Sequence, residues 1–340
     1  MFVPYYTSII HMLVLGVGKG YNKNVMEKVV VTGGAGFIGS HLAEELVSQG
    51  YYVIIVDDFS TGRQENIDSL IRQKKSEFIG GSITDLKFLQ KVFQDVSYVF
   101  HLAALARVPQ SVADPLTTNE INVNGTLNVM LAAKENGVKK VIYSSSSAVY
   151  GKSLVLPQSE AMPLNPLSPY ALTKLVGEYY GSIFNQIYNL ATVSLRYFNV
   201  FGSRQDPLSP YANVIPVFIS RVSQDLPPII YDDGEQSRDF VYVDDVVQAN
   251  ILAIKKGVEG VYNIGSGTST TINVLAKAIL AILQKELKPI YEKPRLGDPR
   301  HTLAEISKAS QFGYKPEYSL EEGLKAIVPA YSPRTNPNRN

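Results

Sequence analysis

Apolar positions in the first half of the chain alternate between two periods. Residues 29–31 are an unbroken β-branched run, as a strand buried on both faces requires. Ile38, Leu42 and Leu46 then recur at helical spacing until Gly50 stops the helix. A second apolar run, 51–56, ends on Asp57. The alternation continues with a short strand at 77–79, a helix at 86–93 and a buried strand at 97–103. A long helical stretch at 115–136, a strand at 140–145, a helix at 170–188 and a strand at 192–195 follow. Strands separated by helices form right-handed βαβ units, so the pattern predicts an α/β chain with a Rossmann-type doubly wound parallel sheet.

Beyond Asn199 the rhythm fails. Segments rich in Pro, Tyr and Gly (202–211, 226–234, 291–299) interrupt short helices, which predicts a smaller, irregular C-terminal lobe closing over a ligand. A helix at 244–256 and a strand at 261–264 are expected to rejoin the main sheet. The expected division is a nucleotide-binding domain of 26–198 plus about 240–268, a substrate lobe of 199–239 plus 269–330, and a polar tail, 331–340. Within residues 1–25, the apolar run 9–17 is too short to span a bilayer, no basic region precedes it and no convincing cleavage site follows. With Met26 just ahead of the first strand, 1–25 is expected to be a mobile or mis-assigned leader.

The first strand–helix junction reads Thr32-Gly-Gly-Ala-Gly-Phe-Ile-Gly39. Gly33, Gly36 and Gly39 let backbone approach a pyrophosphate, and the helix that begins at Phe37 and Ile38 offers unpaired N–H groups and a positive dipole end. Asp57 lies about 20 residues beyond the turn, where a carboxylate accepts both ribose hydroxyls of an adenosine and repels a 2′-phosphate. The expected cofactor is therefore NAD rather than NADP.

Composition narrows the partners. With 32 basic and 31 acidic residues the net charge is +1, and the basic residues are scattered, so neither nucleic acid nor an anionic membrane is expected. The absence of cysteine excludes disulfides, zinc–thiolate sites and thiol catalysis, and fits a reducing cytoplasm. The four histidines are not at metal-ligand spacing, so no metal is expected.

Ligands of open parallel sheets sit beyond the carboxyl ends of the strands. The strand beginning at Val141 delivers Ser144, Ser145, Ser146 and Ser147 to that edge, and Tyr170 and Lys174 stand one helical turn apart. A phenol with an ordinary pKa near 10 is a poor base; lowering it by ~3 units takes roughly 4 kcal/mol of preference for the phenolate. A lysine cation and an oxidised nicotinamide ring could supply this together. The phenolate then removes a hydroxyl proton while the adjacent hydride leaves, with a serine hydroxyl holding the oxygen in line.

With these motifs the chain resembles the extended short-chain dehydrogenase/reductases, specifically the UDP-hexose 4-epimerases (UDP-glucose/UDP-N-acetylglucosamine 4-epimerase). The likeness spans residues 26 to about 328. It also rests on His101-Leu-Ala-Ala104, Asn122-Val-Asn-Gly-Thr126, Ser144-Ser-Ser-Ser-Ala-Val-Tyr-Gly151, Arg196-Tyr-Phe-Asn-Val-Phe-Gly202 and Arg238-Asp-Phe-Val-Tyr-Val243. The resemblance implies a cycle in which Tyr170 takes the sugar 4-OH proton, NAD takes the C4 hydride, the 4-keto sugar rotates and the hydride returns to the opposite face. It makes Ser146 the catalytic serine, with Ser147 a neighbour able to share the role, and gives Lys174 a grip on the nicotinamide ribose. It places Ala103, Asn122, Ser82 and Ile83 in the cofactor pocket. Ser82 departs from the family's usual Asp, leaving the adenine contact weakened or supplied by Asp85. Asn199, Asn213, Val214, Tyr231, Arg238, Arg295 and Asp298 match positions that hold UDP; forked arginines suit a diphosphate.

Sister enzymes carry carboxylates after the strand-end serine, for dehydration or decarboxylation; here Ser147 and Ala148 follow Ser146, which favours epimerisation. A nucleotide-sugar dehydratase or decarboxylase is the alternative within the superfamily, and a non-catalytic NAD-binding sensor or scaffold the alternative of another class. The loops 105–111, 202–207 and 211–216 resemble the branch accepting N-acetylated sugars, and Thr302 stands where a bulky aromatic would exclude a 2-acetamido group. UDP-N-acetylglucosamine and UDP-N-acetylgalactosamine are thus expected substrates, with UDP-glucose and UDP-galactose open. The resemblance further implies a homodimer through the helices at 115–136 and 170–188.

Overall fold

The computed structural model describes residues 26–207, 212–294 and 299–331. In chain order its strands are β1 (Lys28–Thr32), β2 (Tyr52–Asp57), β3 (Ser76–Gly80), β4 (Val96–His101), β5 (Lys140–Ser146), β6 (Ala191–Tyr197), β7 (Asn199–Phe201), β8 (Ile229–Tyr231), β9 (Ser237–Tyr242), β10 (Gly260–Ile264), β11 (Ser269–Thr271) and β12 (Ile290–Glu292). The helices are α1 (Phe37–Ser48), α2 (Asp68–Ile71), α3 (Leu86–Val92), α4 (Val108–Ala113), α5 (Pro115–Asn119), α6 (Gly125–Glu135), α7 (Pro169–Tyr188), α8 (Val214–Ser223), α9 (Val243–Leu252), α10 (Ile272–Ile282), α11 (Ser307–Ser310) and α12 (Leu320–Tyr331).

Seven strands form one parallel sheet in the order β3-β2-β1-β4-β5-β6-β10. The pleat of β1 sends Val29 and Val31 into the apolar cluster shared with α1 and α9, and Val30 into the opposite cluster shared with α3 and α6. Strand order reverses between β1 and β4, which opens a crevice at their carboxyl ends. The glycine turn leaves β1 on one side of that crevice, and β5 ends on its serines on the other.

Beyond β6 the chain builds a second cluster around Phe201, Phe218, Ile230, Val243, Leu275 and Ile327. A three-stranded sheet (β11-β9-β7) and the parallel pair β12-β8 belong to this region. α9 and β10 then return to the main sheet, β10 pairing with β6.

The stretch 115–136 departs from the single helix expected of it. α5 passes into α6 through a π-helical turn, Glu120–Asn124, which inserts extra backbone at Asn122. α4, which the apolar pattern did not foretell, opens with a proline in its first turn. α7 begins at Pro169, capped by the Ser168 side chain, which accepts from the Ala171 N–H at 3.1 Å. It ends at Asn189 in the left-handed region, φ 54°. No helix among the described residues is long and apolar enough to cross a membrane. Residues 1–25 and 332–340, together with Arg295 and Asp298, lie outside the described residues.

Candidate active site

The glycines of the first turn have different reasons for being there. Gly33 has φ +70°, and a Cβ on it would lie 2.7 Å from the Ala103 nitrogen, so the chain leaving β4 leaves no room for a side chain. A Cβ on Gly39 would lie 2.2 Å from the Gly33 carbonyl oxygen. Gly36 differs: its φ of −74° suits any residue, and a Cβ would meet only the Gly33 oxygen, at 3.1 Å. The fold tolerates a side chain there far better than at its neighbours, and what glycine keeps clear is the space before the α1 N-terminus. No side chain caps α1, and no acid lies in its first turn. Uncapped N–H groups at Phe37 and Ile38 behind a bare Gly36 fit a dinucleotide pyrophosphate.

Asp57 closes this cradle. Its carboxylate accepts from the Ala35 N–H at 3.0 Å and the Phe59 N–H at 2.8 Å, so the turn and the end of β2 are tied together. Burial pushes its pKa up, and these backbone donors oppose that. Ser82 is partly buried and accepts from the Thr84 hydroxyl at 3.1 Å, while Asp85 caps α3 by accepting from the Phe88 N–H. Ile83 is buried and Ala103 half-buried, its N–H donating to Thr32 Oγ1 at 3.3 Å. Asn122, on the π turn, accepts from the Leu105 N–H at 2.8 Å and donates to the Leu105 carbonyl and to Thr173 Oγ1.

Tyr170 sits in the first turn of α7, its N–H donating to the buried Ser111 hydroxyl at 3.1 Å. Lys174 is buried; its ammonium donates to the Ser144 carbonyl at 2.8 Å and lies 6.0 Å from the centre of the Tyr170 ring. Burial pulls the lysine down to about 7. Burial also pushes the Tyr170 phenol up, and the Ser146 hydroxyl opposes it. Burial works against the lowering expected of Lys174 and an oxidised nicotinamide ring together, so the two charges have to offset it. Ser147 opens the 3₁₀ turn after β5, and Ser146 caps that turn by accepting from the Ala148 N–H at 3.2 Å.

Asn199 on β7 lies across from β9, which carries Arg238. The Thr302 hydroxyl donates to Asn199 Oδ1 at 3.4 Å, and the Thr302 N–H donates to the Ser237 carbonyl at 3.1 Å. Thr302 is buried, and Arg238 Nη1 donates to the carbonyls of Ser237 and Arg300. The structure thus brings Asn199, Arg238 and Thr302 together. Tyr231 ends β8, and Asn213 and Val214 stand at the start of α8.

The family model for the NAD dependent epimerase/dehydratase family matches residues 29–265. The chain belongs to this family. It is 42% identical to a putative UDP-glucose 4-epimerase of Methanocaldococcus jannaschii, over 88% of this chain and 97% of that one. Among solved structures it is similar to the UDP-N-acetylglucosamine 4-epimerase of Methanobrevibacter ruminantium M1 in complex with UDP-N-acetylmuramic acid. That match has a TM-score of 0.87 and 45% identity, and covers 90% of this chain and 98% of that one. It is also similar to the Thermus thermophilus UDP-glucose 4-epimerase in complex with NAD, with a TM-score of 0.82 and 35% identity, covering 89% and 98%.

In this epimerase/dehydratase family member several residues beneath the site went unread in the sequence. Ser111 anchors the Tyr170 backbone, and Glu178 and Arg196 form a fully buried ion pair behind the β5 serines. The spacing Tyr170-x-x-x-Lys174-x-x-x-Glu178 carried the signal, since it puts all three on one helical face.

Proposed function

We propose that this protein is an NAD-dependent UDP-sugar 4-epimerase that takes UDP-N-acetylhexosamines and also admits plain UDP-hexoses. The observation that carries the reading is the Lys174–Ser144 bond at the carboxyl edge of β5, which sets the first turn of α7, with Tyr170, beside the strand-end serines and across the crevice from the bare Gly36 cradle. Tyr170 and Ser146 would there supply a hydroxyl base and a hydroxyl clamp to a dinucleotide held at the α1 N-terminus. NAD, when bound, supplies the hydride acceptor and donor for sugar C4. Tyr170 Oη takes the proton of the sugar 4-OH and later returns it, and Ser146 holds that oxygen in line, with Ser147 adjacent. Lys174, held by the Ser144 carbonyl, contributes the cation that favours the phenolate and also holds the nicotinamide ribose.

Gly33, Gly36, Phe37, Ile38, Gly39 and Asp57 hold the cofactor, with Ser82, Ile83, Ala103 and Asn122 along its path. Asn199, Asn213, Val214, Tyr231, Arg238, Arg295 and Asp298 hold UDP, and Thr302 leaves space for a 2-acetamido group. The test is an NMR assay of UDP-glucose, UDP-galactose and their N-acetyl counterparts. Interconversion at C4 without net NAD consumption supports the reading; dehydrated or decarboxylated product, or no turnover, refutes it.

The same reading includes a two-lobed arrangement with the cofactor on residues 26–198 and about 240–268, and a homodimer. α7 turns Leu172, Tyr179, Ile183 and Ile187 outward, 52%, 60%, 44% and 66% exposed, and Leu116 at the start of α5 is 83% exposed. Such a stripe suits a helical face covered by a second copy. Sedimentation of the wild type and Ile183→Glu tests it: a dimer converted to monomer supports the interface, and a wild-type monomer overturns it.

A further inference from the structure

Two contacts, one helical turn apart, join α7 to the end of β5. One turn in from Tyr170, Lys174 donates to the Ser144 carbonyl, and one turn further the Ser145 hydroxyl donates to Glu178. The second is braced from behind. Arg196 on β6 grips Glu178 with two donors, Nε at 2.9 Å and Nη2 at 2.7 Å, and both side chains are 3% exposed. Its remaining Nη1 donates to Tyr150 Oη at 2.9 Å, and Tyr150 donates to Asn263 Oδ1 at 2.7 Å. Asn263 in turn donates to the carbonyls of Gln158 and Glu305, the latter on the segment that follows Thr302. Each of these side chains finds its partner on a different element.

An ion pair this deep contributes little net stability, because desolvating both charges offsets their attraction and an apolar pair of like volume would serve as well. What it fixes is register. Sliding or rolling α7 against β5 breaks the Ser145–Glu178 contact and at least one Arg196 bond before Tyr170 has moved far.

We propose that Glu178 and Arg196 are positioning residues, locking α7 to β5 so that Tyr170 and Ser146 meet one substrate oxygen. The proposal rests on the epimerase reading for its kinetic consequence but not for its structural one, and the test separates the two. Hydrogen exchange and steady-state kinetics are measured on the full-length wild type, Glu178→Gln and Ser145→Ala. Glu178→Gln keeps the volume and loses the charge; Ser145→Ala removes only the strand's hydroxyl and leaves the ion pair intact, so it reports even where the first variant fails to fold. The expected result is exchange about tenfold faster at the amides of residues 172–175, with those of β6 and β10 unchanged. The expected kinetic result is a kcat reduced about ten- to a hundredfold per NAD-loaded site, at a KM within about threefold of wild type. Uniformly faster exchange in the variants, unchanged exchange at 172–175, or an unchanged kcat would overturn the proposal. A wild type inactive on all four UDP-sugars would overturn the epimerase reading alone, leaving exchange to decide the positioning role.

Discussion

The Lys174 ammonium and the Ser144 carbonyl oxygen are 2.8 Å apart, with the charge also 5.1 Å from the centre of the Tyr143 ring. This single bond ties the catalytic helix to the strand end that carries the serines. It also leaves a cation in a buried place, where one carbonyl and one ring face replace water. Gly177 makes the approach possible, since a Cβ there would lie 2.3 Å from the Tyr143 hydroxyl oxygen.

Burial pulls Lys174 from 10.5 down to about 7. Between those values the unfolded chain holds a proton that the folded one has released. Wild-type stability should therefore rise with pH across this window, by about 1.4 kcal/mol per unit from this residue. Lys174→Met removes that dependence. Urea unfolding at pH 7, 8 and 9 should show the variant losing ground to wild type as pH rises; a constant difference between them would count against a desolvated lysine.

Tyr170→Phe removes the proton carrier and keeps the ring that packs at the start of α7. The kcat should fall by about 10²–10⁴-fold with KM little changed, the range typical of general acid–base groups. Ser146→Ala should cost less, because the phenol remains. Near-normal turnover in Tyr170→Phe would sink the mechanism, and near-normal turnover in Ser146→Ala would move the hydroxyl role to Ser147.

The cradle argument separates two glycines that look alike in sequence. Gly39→Ala would set a Cβ 2.2 Å from the Gly33 oxygen, and should destabilise or prevent folding. Gly36→Ala needs only a few tenths of an ångström of relief, so the protein should fold with a Tm within a few degrees of wild type and fail to retain NAD. Wild type purified without added cofactor should carry the nucleotide, because an epimerase regenerates its cofactor each turnover. Cofactor content by absorbance after heat release distinguishes these cases, and full occupancy in folded Gly36→Ala would refute the role.

The sheet was legible because its strands are buried on both faces and read as unbroken apolar runs at 29–31, 51–56 and 141–143. The Tyr170/Lys174 pair was legible because helical geometry makes a three-residue gap a shared face. What escaped depends on neighbours distant in sequence. The π turn at Asn122 leaves no periodic trace, since inserting one residue into a helix only blurs its apolar stripe. Glu178 reads as an ordinary solvated charge until Arg196, on β6, is seen to pair with it in the interior. The desolvation of the Tyr170 phenol follows from its three-dimensional enclosure, which leaves no mark in the sequence.

Thr302 is buried with its hydroxyl 3.4 Å from Asn199 Oδ1, beside the chain that carries Arg238. Replacing it with Tyr drives a ring into the space proposed for the acetamido group. Turnover of UDP-N-acetylglucosamine and UDP-N-acetylgalactosamine should fall by at least about tenfold, while the plain UDP-hexoses are spared. Equal losses on both classes, read from product ratios by NMR, would reject Thr302 as the gate.

His101 offers a test of the fold beneath the glycine turn. Thr126 donates its hydroxyl to the Asn122 carbonyl at 2.6 Å, so it accepts from His101 Nε2 at 3.0 Å. That assigns Nε2–H and leaves Nδ1 to accept from the Thr32 hydroxyl at 2.8 Å, while Thr32 itself accepts from the Ala103 N–H. The ring is neutral by construction: a proton on Nδ1 would face an oxygen already aimed at it as a donor. Burial, reinforced by the Lys174 charge, pulls the histidine from 6.5 down to about 3. Between these values the unfolded chain binds the proton and the folded one does not, so stability should fall as pH drops through this range, by about 1.4 kcal/mol per unit. Asp245, pushed up to about 6 by burial, works in the opposite direction in both proteins and cancels from their difference. Going from pH 6.5 to pH 5 should therefore cost wild type about 2 kcal/mol more than His101→Gln, measured by urea unfolding. Parallel losses in the two proteins would mean that His101 takes up its proton without breaking the link between the glycine turn and the π turn.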